Sequence, residues 1–95
     1  MLTVIQRQFG LSHADLQRLL PRFTDADVSF SGSDFVLVFA NKRQLAISLG
    51  PERERRLGLM RIPFVDLEFT FKGWEPSDIH GFMARFDRMF QKGGG

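Results

Sequence analysis

The chain has 95 residues, 43% of them apolar and 25% charged, which is enough for one globular domain with an adequate core and not for two. Its formal net charge of +2 is too small to argue for nucleic acid by itself, and the absence of cysteine removes disulfides, Cys-based zinc sites and thiol nucleophiles together. No apolar run approaches the length of a membrane span and no signal peptide stands out, so the expected compartment is intracellular, the cytoplasm.

In chain order, Leu2–Phe9 comes first, with Thr3, Ile5, Arg7 and Phe9 alternating against Val4, Gln6 and Gln8. That alternation predicts a strand, although Leu2, Ile5 and Phe9 also suit a helix face. Gly10 breaks the pattern before a clear helix start. Ser12 is a capping residue, Asp15 stands where it can reach back to it, and Leu11 can staple onto Leu16. Leu16, Leu19 and Leu20 form the buried side of this helix, and Pro21 is expected to close it after about two turns.

The middle of the chain reads as sheet. Val28 and Phe30 alternate with Asp27, Ser29 and Ser31, and Ser31-Gly32-Ser33-Asp34 is a turn cluster. Phe35–Ala40 is apolar on both faces, which predicts a strand covered above and below. Leu45, Ile47 and Leu49 alternate with Gln44, Ala46 and Ser48 until Gly50-Pro51. Glu52–Arg56 reads as a charged loop. Leu57–Lys72 reads as one long strand bent at Pro63, with Val65, Leu67, Phe69 and Phe71 facing one way.

The last element is an amphipathic helix. Ile79, Phe82, Met83, Phe86, Met89 and Phe90 recur at three- and four-residue intervals, with Pro76 at the first position and Asp78 near the positive end. A stripe so aromatic must be covered by the sheet or by a second copy of the chain. The expected fold is α+β, a single two-layer domain. An antiparallel β-meander of three to five strands is packed by the C-terminal amphipathic helix, with a short N-terminal helix, in β-α-β-β-β-β-α order. Its core face is Val28, Phe30, Phe35, Leu37, Phe39, Leu45, Ile47, Leu49, Leu67 and Phe69. Residues 1–92 form this domain and 93–95 a flexible tail.

Catalytic chemistry finds little footing. His13 and His80 lack a metal-ligand partner at helical spacing and read as surface histidines. Asp66 and Glu68 share a strand face and could hold a cation, but they alternate with Thr70 and Lys72 as a solvated face would. The serines lack a nucleophile-elbow context, and no Gly-rich loop precedes a helix. No enzyme activity, cofactor or metal is expected.

Binding is better supported. Residues 42–61 carry six Lys/Arg against two Asp/Glu, whereas the flanking segments are each net negative. Arg53, Arg55, Arg56 and Arg61 are the candidate contacts for an anion or an acidic partner, since guanidinium groups suit phosphate and carboxylate. Lys42 and Arg43 fall at the opposite end of the meander. Trp74 is the one aromatic expected to be exposed for base stacking, so nucleic acid is the weaker possibility.

A second binding candidate is an apolar ligand held on the wall of Phe82, Met83, Phe86, Met89 and Phe90. The element order is similar to that of helix-grip lipid-binding folds, an analogy of order alone that implies such a ligand. The leading expectation is a non-catalytic interaction module, homodimeric, because Val36, Val38, Phe64 and Trp74 remain apolar and uncovered after one helix is laid on one sheet face.

Overall fold

A computed structural model of the chain describes Leu2–Gln91. The expected tail 93–95 and the domain limit at residue 92 lie outside the described residues. Strand β1 (Leu2–Phe9) is followed by helix α1 (His13–Phe23), then β2 (Asp27–Ser31), β3 (Asp34–Val38), β4 (Gln44–Leu49), β5 (Arg53–Leu57), β6 (Met60–Lys72) and helix α2 (Pro76–Gln91). The α+β fold, the antiparallel sheet and the helix laid on one face are as the sequence predicts. Among the described residues there are six strands, one more than in the expected β-α-β-β-β-β-α order.

The extra strand is β5. The segment read as a charged loop pairs with the start of β6, Arg53 opposite Phe64 and Leu57 opposite Met60. The ladder also explains how β4 and β5 relate. Leu49 lies opposite Leu67 and Arg53 opposite Phe64, so four steps on one side match three on the other. Gly50-Pro51-Glu52 is therefore a bulge in one long partner strand of β6. Gly50 keeps the bulge closed, with its N–H donating to the Asp66 carbonyl at 2.8 Å. A Cβ at Gly50 would stand 3.3 Å from that same carbonyl oxygen. β6 is a single strand through Pro63, which lies beyond the end of β1 and so needs no amide donor on that side.

The sheet order is β1-β6-β4-β3-β2, all antiparallel, with β5 extending the β4 track along β6. Odd-numbered residues of β6 (Val65, Leu67, Phe69, Phe71) are buried under the helices with Phe9, Phe35, Leu37, Leu45, Ile47 and Leu49. α2 completes this core through Ile79, Phe82, Met83, Phe86 and Phe90. Its aromatic rings meet edge-on, Phe86 lying 5.3 Å from Phe9 and 4.9 Å from Phe69.

Three expectations about the core are corrected. α1 does not close at Pro21 but runs to Phe23, because the Phe23 ring sits 5.4–5.6 Å from Phe82, Phe86 and Phe90 and holds the last turn down. Phe30 is exposed and Val28 only half-buried, since β2 is an edge strand at the rim of the helix layer; Phe39 is likewise half-buried. The strand read as covered above and below is covered on one face only: Val36 and Val38, the apolar groups left over once one helix is laid on the sheet, are exposed on the face that carries no helix.

The start of α1 is as predicted. Ser12 Oγ accepts from the Asp15 N–H at 3.1 Å, and the Asp15 carboxylate accepts from the Ser12 N–H at 3.3 Å. These bonds, that of the Ser12 backbone first, hold the Asp15 carboxyl below its ordinary pKa.

Candidate functional site

The molecule is elongated, with extents of 47 × 26 × 22 Å. β5 and the first residues of β6 form a two-stranded arm that leaves the body: Arg53–Arg61 are all exposed and Ile62 to Phe64 half-buried. At its tip Leu57 and Met60 pair across the two-residue turn Gly58-Leu59. Gly58 has φ +63° while Leu59 keeps a negative φ, the pattern of a type II′ hairpin turn that glycine opens at little cost. Leu57, Leu59 and Met60 are 58%, 104% and 64% exposed. An apolar tip so fully in water is the least expected feature of the surface.

The arm carries the four arginines predicted as candidates, but it divides them between two faces. Arg53 and Arg55 lie in the rows of Phe64 and Ile62, on the side of the sheet away from the helices. Both guanidinium groups cover the Phe64 ring, at 4.7 and 4.9 Å from its centroid. Arg53 also pairs with Asp66, and Arg55 donates to Gln8 Oε1 at 3.2 Å. Arg56 and Arg61 share the opposite face, where Arg61 stands 3.8 Å from Glu54. Among the described residues Arg56 meets no carboxylate within ion-pair distance.

The base of the arm is fastened to α1. The His13 amide donates to Glu52 Oε1, and His13 Nε2 lies 2.7 Å from the Gly50 carbonyl oxygen, which requires the proton on Nε2. His13 was expected at the surface with no structural role; it is half-buried and clamps the bulge. His80 is exposed as expected.

The arm's Arg53/Arg55 side is continuous with the open sheet face. Cross-strand register places Val4, Thr70, Ala46 and Val36 in one row, and Leu2, Lys72, Gln44 and Val38 in the next. Between these rows and the arm lies a polar belt. Gln6 donates to Glu68 at 3.2 Å and Gln8 to Asp66 at 3.0 Å, beside an open cleft of about 460 Å³ that Ser48 and Gly50 also line. The Asp66/Glu68 pair thus has separate partners. Among the described residues no group of three metal-ligating side chains converges.

The other candidate, the apolar wall, lies in the core. Phe82, Met83, Phe86 and Phe90 are buried, whereas Met89 is exposed and belongs to the outer side of α2. The rings on this wall contact one another and those of Phe9, Phe23, Phe39, Phe69, Phe71 and Trp74. Trp74 is not the exposed stacking platform expected. It is half-buried, donates its indole N–H to the Gln44 carbonyl at 2.9 Å, and lies under the Arg43 guanidinium at 4.4 Å. Arg43, at the opposite end from the arm as predicted, is held there by Asp78 at 3.1 Å.

Among the described residues no helix is long and apolar enough to cross a membrane. Comparisons with known protein families, with curated proteins and with solved structures each return no match.

Proposed function

We propose that the protein is a non-catalytic interaction module that works in the cytoplasm as a homodimer, with the β5–β6 arm and the open sheet face as its contact surface. The observation that supports this reading is the tip. Leu57, Leu59 and Met60 stand in water at the end of an ordered hairpin, and burying three such side chains would yield roughly 5–8 kcal/mol before association costs. A two-stranded ribbon projecting alone is marginally stable, so a bound surface would also hold the arm in shape. A cysteine-free chain owes nothing to an oxidising compartment.

The test compares the wild type with the variant Leu57→Asp/Leu59→Asp/Met60→Asp. Expected is an unchanged melting transition of the body together with loss of self-association and of protein capture. Equal association by the two proteins would remove the tip from the account.

A second reading, anion or nucleic-acid contact, draws on the net +3 of residues 53–64 and on Arg56, which among the described residues meets no carboxylate. It predicts binding to oligonucleotides that weakens steeply with salt, and that Arg53→Glu/Arg55→Glu/Arg56→Glu abolishes. The apolar-ligand reading has less support, because the wall it needs is filled by the chain's own rings.

A further inference from the structure

We propose that two copies of the chain stack their open sheet faces antiparallel, each laying its hairpin tip across the Val4–Thr70–Ala46–Val36 row of the other. This rests on the reading of the protein as a self-associating module and specifies how the association is built.

The open face has apolar surface at two places: the tip, and the row of Val4, Ala46 and Val36 with Leu2 and Val38 behind it. A polar belt separates them. Both lie along β6, Leu59 just before its start and Thr70 near its end, eleven positions apart or about 36 Å. A two-fold axis in the plane of contact, crossing β6 at right angles between Phe64 and Val65, exchanges these two positions. The contact is then isologous: each tip covers the other copy's row, and the same patch serves both copies.

The same axis aligns charge. Arg55 lies in the row of Ile62, two to three steps on the arm side of the axis. The equivalent level on the second copy falls between Asp66 and Glu68. Among the described residues Glu68 has only Gln6 as a hydrogen-bonding partner, so a guanidinium set over it gains an ionic contact. Arg53, nearest the axis, is already neutralised by Asp66. One operation, fixed by matching the apolar patches alone, thus brings arginine over carboxylate.

Stacked sheets lie about 10 Å apart, and an overlap about 36 Å long and two to four strands wide has a footprint of roughly 350–700 Å². Accessible area on a corrugated face exceeds its footprint, which places the contact near the ~800 Å² per partner of a specific complex. A bilayer would cover the tip and leave the Val4–Val36 row in water. A nucleic acid would meet the arginines but neither apolar patch.

The absence of cysteine makes the test clean. In the double variant Leu59→Cys/Ala46→Cys the introduced thiols are the only ones present, and a short bismaleimide should link them into a covalent dimer in high yield. Leu59→Cys alone should give little product. The unmodified chain should sediment as a dimer at micromolar concentration, and Leu59→Asp should weaken dimerisation at least tenfold without changing far-UV circular dichroism. Should Ala46→Cys disturb the sheet, Val36→Cys on the exposed row replaces it. A dimer that fails to crosslink through either pair overturns this stacking but leaves self-association standing. A monomer at 100 µM overturns both, as does a monomer that binds phosphatidylserine vesicles through its tip.

Discussion

The two faces of the sheet are made from the same strands by the same alternation, yet they are in opposite physical states. On the helix side, Phe9, Phe69, Phe82, Phe86 and Phe90 are fully enclosed and every ring meets another edge-on or tilted. On the open side, Val4, Val36 and Val38 face water beside glutamines and carboxylates, and the sheet continues into an arm whose residues from Arg53 to Arg61 are all exposed. Apolar burial in this molecule is concentrated on one side, and the other is the side proposed for binding. Substitutions should separate accordingly.

The largest effect belongs to the covered side. Phe86→Ala removes a ring in contact with Phe9, Phe23, Phe69, Phe82 and Phe90, and should cost about 3–5 kcal/mol in urea unfolding, enough to threaten a domain of this size. A loss under 1 kcal/mol would show that the helix is not the main cover. At the boundary between the two sides, His13→Ala leaves the Gly50 carbonyl without its imidazole donor and should cost about 1–2 kcal/mol. Its local signature should be faster hydrogen exchange at the bulge and arm, with α2 unaffected.

A smaller effect is expected at the α1 cap. Ser12→Ala should cost about 1 kcal/mol. Because the folded state depresses the Asp15 pKa, the associated stability is present above the unfolded carboxyl value and is lost as pH falls through the folded one. Asp15→Asn should flatten that part of the acid limb of a stability–pH profile, and an unchanged limb would refute the assignment. Smallest is the open side. Leu59→Ser, at the fully exposed tip, should shift the unfolding free energy of the isolated chain by less than about 0.5 kcal/mol. A large shift would mean the tip has a contact within its own chain.

The covered side was legible in the sequence because burial imposes a period. The three- and four-residue spacing from Ile79 to Phe90 and the alternation from Val65 to Phe71 each predicted a buried face, and both faces are buried, with Met89 the one exposed member of the helical stripe. Where no burial acts, the pattern loses its meaning. Arg53-Glu54-Arg55-Arg56 carries charge on both faces of β5, so alternation could not reveal a strand. The available signal was Gly58, a turn glycine between Leu57 and Met60, which the apolar run beginning at Leu57 concealed.

The same difficulty explains Val36 and Val38. β-branched residues on both sides of a strand fit a covered sheet, and they equally fit an uncovered one that awaits a partner. Pro21 misled for a different reason. Its ring disfavours a helix interior, but near the end of α1 the cost is small and Phe23 gains three aromatic neighbours by continuing the turn. His13 gave no sign at all, since its acceptor lies 37 residues away in sequence.

The bulge at Gly50–Glu52 has one more effect, on parity. Before it, odd-numbered residues point toward the helices, as Leu45, Ile47 and Leu49 do; after it, odd-numbered Arg53, Arg55 and Leu57 point away. Deleting a single residue there would make three steps match three, so Arg53 would still meet Phe64 and Arg55 Ile62 on the outer surface, and the ladder would run through without a bulge. The bulge thus absorbs the one residue that, on an unbroken strand, would place Arg53 opposite Pro63 and turn Arg53 and Arg55 inward, so the charges the hairpin shows outside are set by its pairing with β6 and not by the length of the connection.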